Sequence, residues 1–282
     1  MRNRDMMAPM NGANMSRVRK TYGRSAAPLI EELEARGASV VSMDELAMIK
    51  GVPAGSRVLR SLVTRLIENG WLVPLARQGM YEFVPLRVGQ YSSGDELREL
   101  EALARGSKAP PFQLALGSAA FLRGYAETAP TLSYVLVSKR AGIRPPGLKE
   151  RFRVIRTDPD RLFGAEPLRA DSRVPVATAS RLFIDAALYW KHAGDLRSRN
   201  HWLAAAAVDV TAKRAAAWAQ RLGPSVVSRV GFLAERFGAR ELAKLLAPHV
   251  ARRASASFGP RGQGGYDEGW HVYDPIGIGR SL

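Results

Sequence analysis

Between positions 26 and 84 the apolar residues recur with two different periods. In APLIEELEAR, Leu29, Ile30 and Leu33 repeat at helical spacing and Gly37 follows as a stop, which predicts a first helix over 26–36. The apolar run 39–42 predicts a short strand, and 44–49 a second helix closed by a turn through Gly51 and Pro53. Over 55–69, Leu59, Leu62, Val63, Leu66 and Ile67 fall at i, i+3, i+4, i+7 and i+8, one core-facing stripe of a third helix. Two β-prone segments, 71–76 and 80–84, flank Arg77-Gln78-Gly79 and predict a hairpin. Pro74 lacks a ladder donor, so its strand is assigned to an edge. Helix, strand, helix, turn, helix, hairpin is the order of a winged helix-turn-helix.

Beyond 86 the pattern changes. Polar residues 90–93, a short charged helix over 94–105 and the breakers Gly106, Ser107, Pro110 and Pro111 mark a connection. The second region is expected to open with a helix over 113–125. Strands over 132–138 and 152–157 follow, joined by a basic loop through Lys139, Arg140 and Arg144, with another short strand over 173–176. Helices are expected over 179–190, 201–222, 225–237 and 240–253. From 254 onward Ser, Gly and Pro predict an irregular tail, with Tyr266, Trp270 and Tyr273 packing part of it back. The expected class is α+β. Residues 1–24 form a basic arm, 25–88 the winged helix, 89–111 a linker, 112–253 a mixed domain and 254–282 the tail.

Chemistry enters on the polar face of the third helix. Ser56, Arg57, Arg60, Ser61, Thr64 and Arg65 are hydrogen-bond formers and cations without exception, the side chains that read base edges and phosphates. Arg77 and Gln78 sit at the tip of the wing, where they reach a phosphate or an adjacent groove. Arg17, Arg19 and Lys20 in the arm are placed to lie along a minor groove. The formal charge of +16 and pI near 10.7 suit a polyanionic partner and argue against an acidic one. Residues 1–90 carry net +5 and residues 91–250 net +10, so most of the excess lies in the second region. There Lys139, Arg140, Arg144, Lys149, Arg151 and Arg153 form the candidate surface for a toxin or a phosphate, with Lys213 and Arg214 as further cations. A merely solvated loop is the alternative.

The chain has no cysteine, which excludes disulfides and thiolate zinc sites. No uncharged run approaches the ~18 residues of a membrane span, and no secretory signal is visible, so a cytoplasmic protein without membrane contact is expected. Gly117-Ser118 and Asp158-Pro159-Asp160 are the fragments closest to an enzyme site. Two-metal chemistry needs carboxylates converging on one phosphate; these lie some forty residues past the Gly-Ser, in a turn-forming sequence. His192, His201, His249 and His271 lack ligand spacing. No catalytic residue, metal or cofactor is expected. Arg181 with Asp185, and Asp209 with Lys213, read as ion pairs on a helix face.

An ordered set of motifs then accumulates: GWLVPLARQGMYEFVP in the wing, LGSAAFLRGY, VLVS, FRVI, LFG, and RVPVATASRLFIDAA with its Pro-Val-Ala-x-x-x-Arg-x-x-x-Asp. Over roughly residues 26–250 the chain resembles the AbiEi family of antitoxins, from type IV (AbiE) toxin–antitoxin systems. The resemblance implies repression of its own promoter at inverted repeats in double-stranded DNA, with self-association on the duplex open. It also implies a C-terminal domain that counters a cognate nucleotidyltransferase-like toxin. Residues 1–24 and 254–282 fall outside it. A free-standing winged-helix repressor whose C-terminal domain senses a small ligand is the alternative from another class.

Overall fold

The computed structural model describes residues 23, 25–75, 77–85, 96–105, 111–140, 151–169, 172–193, 196–251, 255–259 and 264–279. The predicted arm residues Arg17, Arg19 and Lys20, and Arg144 and Lys149 of the basic stretch, lie outside them. The chain divides into two units, Met1–Arg98 and Glu99–Leu282. Its class is mixed α+β.

The first unit contains α1 (Ala27–Ala35), β1 (Val40–Ser42), α2 (Met43–Lys50), α3 (Arg57–Glu68), β2 (Leu72–Pro74) and β3 (Met80–Phe83). The antiparallel sheet runs β1-β3-β2, which leaves Pro74 on an edge strand where its missing donor costs no ladder bond. Ser42 starts α2 with a reciprocal capping box: its hydroxyl accepts from Glu45 N, and the Glu45 carboxylate accepts from Ser42 N at 2.7 Å. Gly51, at φ +68°, ends the helix. Leu29, Leu33, Leu46, Leu59, Trp71 and Leu72 are each 0–1% exposed and form the centre of one apolar cluster.

The helix α4 (Glu96–Arg105) spans the division between the units. Its later half belongs to the second unit: the buried Glu101 carboxylate accepts from Arg173 N, Ser172 Oγ and Arg105 Nε at 2.9–3.1 Å. Residues 101–105 are thus structural rather than a spacer.

The second unit is built on a five-stranded sheet, β6-β5-β4-β8-β7, comprising β4 (Phe112–Leu114), β5 (Ser133–Ser138), β6 (Phe152–Thr157), β7 (Ala165–Glu166) and β8 (Val176–Ala177). The expected helix over 113–125 is corrected at its start. Phe112, Gln113 and Leu114 form a fully buried strand antiparallel to β5, and α5 covers only Leu116–Leu122. The sequence offered no breaker there, because the reversal is made at Leu116 with φ +51°. The strand expected over 173–176 is displaced to 176–177.

Helices α6 (Ala179–Leu188), α7 (Leu196–Ala206), α8 (Ala212–Leu222), α9 (Pro224–Arg236) and α10 (Arg240–Leu246) follow. The alanine-rich helix expected over 201–222 is two helices. Val210 and Thr211 turn extended between them, and Ser180 Oγ accepts from Thr211 N at 2.8 Å. A tertiary hydrogen bond, not Gly or Pro, makes that break. The last helix stops before the expected 253, its final turn tightening to 3₁₀ over Ala247–His249 around Pro248.

The tail is not irregular. Strands β9 (Ala256–Ser257), β10 (Gly265–Asp267) and β11 (Val272–Asp274) form a second sheet of the unit, order β10-β11-β9. Trp270 anchors it, with its indole donating to Glu235 and lying so close to Gly231 of α9 that a Cβ there would fall inside the ring.

Arg181 and Asp185 also differ from expectation. Both are 0% exposed, with Nε to Oδ1 at 2.8 Å, inside the unit rather than on a helix face. Phe163 lies between two guanidinium groups, Arg181 and Arg221, each 4.2 Å from its ring centroid. Gly164, at φ +69°, leaves room for Trp218, whose ring would sit 2.7 Å from any Cβ placed there. The Leu-Phe-Gly motif is therefore a packing device. Burial raises the Asp185 carboxyl to about 6, against the lowering influence of Arg181. Asp209 does not pair with Lys213; it accepts from the Tyr125 hydroxyl at 2.7 Å. No helix among the described residues is long and apolar enough to cross a membrane.

Candidate functional site

Helix α3 exists because its apolar stripe buries Leu59, Leu62, Val63 and Leu66 against the core of the first unit. The same periodicity sends Arg57, Arg60, Ser61, Thr64 and Arg65 outward, and all five are exposed. Among the described residues no hydrogen bond or ion pair to another side chain engages Arg57, Arg60 or Arg65. Three solvated guanidinium groups lie within nine residues of one helix, opposed on the exposed side only by Glu68 at its end.

Two hydroxyls of the predicted set have local duties. Ser56 is the N-cap, its Oγ accepting from Leu59 N at 3.2 Å, so the side chain starts the helix. Thr64 Oγ1 donates to Arg60 O at 3.0 Å, which leaves its acceptor lone pairs outward. The sequence reading missed Val58. This residue is 63% exposed and falls with Ser61 and Arg65 at i, i+3 and i+7 on the exposed side. The available signal was an apolar residue off the core stripe.

The hairpin tip is held in place by the backbone. Met80 N donates to Arg77 O at 3.1 Å, and Met43 N donates to Gly79 O at 2.8 Å, which ties the turn to the start of α2. Gly79, at φ +76°, permits the tight reversal. Gln78 is exposed and Arg77 half-buried.

In the second unit the predicted basic stretch is divided. Strands β5 and β6 pair in parallel, with Ser133 opposite Phe152 and Ser138 opposite Thr157. Lys139 and Arg140 therefore lie beyond the C-terminal ends of the pair and Arg151 and Arg153 at the opposite end of β6, roughly 17 Å away at ~3.3 Å per residue. A hairpin would have brought these cations together; a parallel pair separates them. Lys139 faces Asp158 at 3.5 Å, and Asp158 also faces Arg161 at 3.7 Å. The Asp158-Pro159-Asp160 sequence is thus a 3₁₀ turn whose first carboxylate is engaged by cations. Ser118 Oγ accepts from Tyr134 N at 2.8 Å, a link between α5 and β5. Arg214 faces Glu166 at 3.5 Å.

Arg153 instead borders a cleft of about 920 Å³, lined also by Gly117, Tyr134, Ser198, His201 and Trp202. Burial lowers the pKa of nearby His192, with Arg153 and Lys191 adding repulsion. Among the described residues no group of acidic or histidine side chains is arranged to hold a metal ion.

No family model and no curated protein matches the chain. Among solved structures it is similar to the RV2827C protein from Mycobacterium tuberculosis, with a TM-score of 0.68 and 20% sequence identity, over 91% of this chain and 93% of that one. At that identity the likeness is one of fold: a mixed α+β chain with ten α-helices and small sheets among the described residues.

Proposed function

We propose that the first unit is a winged helix-turn-helix that binds double-stranded DNA, with α3 in the major groove and the β2–β3 turn as the wing. The observation that carries this reading is the solvated row of Arg57, Arg60 and Arg65 on a helix otherwise anchored by four buried apolar residues. Cations without a side-chain partner among the described residues, on a helix anchored by its apolar face, are set to meet phosphates and guanine edges. Val58 adds an apolar contact of the kind that meets a thymine methyl. Arg77 and Gln78 serve the backbone beside the groove. Arg17, Arg19 and Lys20 extend the contact as an arm on the sequence reading alone.

The resemblance to AbiEi antitoxins supplies the rest. The chain represses its own promoter at inverted repeats and restrains a nucleotidyltransferase-like toxin through the second unit. The alternative, a repressor whose second unit senses a small ligand, is favoured by one observation, the cleft beside Arg153. The test is protection mapping of the sequence upstream of the gene, together with growth of cells co-expressing the full chain and the neighbouring toxin gene. Protection of an inverted repeat and restored growth support the antitoxin. Protection without rescue, released by a small molecule, selects the alternative.

A further inference from the structure

The cleft in the second unit has a composition that points to a ligand. Its volume of about 920 Å³ lies within the ~300–1,000 Å³ of small-molecule sites. One wall is the parallel pair: Tyr134 and Arg153 are register partners on β5 and β6 and both border the cleft. The facing wall is α7, which contributes Ser198, His201 and Trp202. Pro130 and Leu132 add apolar surface, and Gly117 also lines the cleft. Trp202 is 1% exposed, so its ring is held by the core and does not need to be ordered on binding.

Arg153 is the fixed cation of the lining and Glu127 its acidic residue. Arg153 is exposed, and no salt bridge within the described residues engages it. On the same strand Arg156, also exposed, belongs to the other face of the sheet, because side chains alternate along a strand. A tyrosine ring beside a guanidinium that no salt bridge among the described residues engages matches a planar ring that carries an anionic group.

We propose that this cleft binds a small planar anion, a ring bearing a phosphate or carboxylate, with Arg153 as the anion contact and Tyr134 as the ring contact. The site is independent of DNA recognition by the first unit, and it would give the ligand-sensing alternative its ligand class.

The test is calorimetric titration of the full-length protein, without DNA, with adenosine monophosphate, benzoate and inorganic phosphate as probes. Saturable one-site binding by at least one of the ring-bearing anions is expected, with inorganic phosphate weaker by about tenfold or more. Arg153→Gln removes a charge-assisted hydrogen bond and is expected to weaken binding about tenfold or more. Arg156→Gln removes the same charge from the opposite face and is expected to bind as the parent does. Binding weakened equally by the two variants would mark a diffuse electrostatic effect and overturn the proposal. So would phosphate binding as tightly as the ring-bearing anions, or no binding by any of the three. The two anionic groups are distinguished by whether adenosine monophosphate or benzoate saturates first.

Discussion

Helices α3 and α6 both carry arginine among apolar residues, three in α3 and one in α6, and they use it in opposite ways. In α3 every arginine is solvated and the four residues that are buried are all apolar. In α6 nine of ten residues are buried, Arg181 and Asp185 among them. The difference lies in what surrounds each helix. One side of α3 meets the small core of the first unit. By contrast α6 is packed by α5, α7, α8 and α9, so its polar side chains must find partners inside. An arginine on a one-sided helix is available to another molecule, whereas an arginine on an enclosed helix is committed to its own fold.

That contrast is sharpest where one cation is removed from each helix. Arg181→Met leaves the Asp185 carboxylate buried without its partner and strips one guanidinium from Phe163. Loss of one member of a buried pair costs about 3–5 kcal/mol, and chemical denaturation at pH 7 is expected to read that. The deficit has a pH signature. Asp185 has its folded-state pKa raised from 3.8 to about 6, so it takes up a proton on folding in that window. Its contribution to stability is fully present below the unfolded value and declines as pH rises through about 6. In the variant the carboxyl shifts further upward. The deficit is therefore expected to shrink when pH is lowered from 7 to 5, and a deficit independent of pH would contradict the buried pair. Replacing both members, as in Arg181→Met with Asp185→Leu, is expected to recover most of the loss.

Gly231→Ala probes the same enclosed region from another side. The added methyl displaces the Trp270 ring, and overpacking of this kind costs about 1–3 kcal/mol. A drop in indole burial seen by fluorescence quenching is expected with it. Ser56→Ala lies in the exposed region and removes only a cap, for about 1 kcal/mol by thermal unfolding. Arg57→Ala or Arg60→Ala is expected to leave stability within about ±0.5 kcal/mol, since neither guanidinium has a side-chain partner among the described residues. If either matched the loss in Arg181→Met, the distinction between the two helices would collapse.

The first unit was more legible in the sequence than the second, for a physical reason. Its elements are local: Gly51 and Gly79 punctuate the chain where the structure turns, and the α3 stripe specifies burial by period alone. In the second unit the deciding interactions are distant in sequence. Thr211 is broken out of a helix by Ser180, β4 is drawn into a strand by β5, and the tail becomes a sheet because Trp270 finds Gly231. The candidate residues of α3 were readable because exposure follows periodicity. The second basic stretch was not, because only the parallel register of β5 and β6 shows that its cations lie at opposite ends.

The proposal that α3 reads DNA is tested most directly by fluorescence anisotropy of the full-length protein on the sequence upstream of its gene, beside Arg57→Ala, Arg60→Ala and an unrelated duplex. Loss of about 1–3 kcal/mol of specific affinity in each variant, with unchanged helical circular dichroism and a preference over the unrelated duplex that narrows, is the predicted result. Wild-type affinity in both variants, or equal affinity of the parent for the two duplexes, would contradict it.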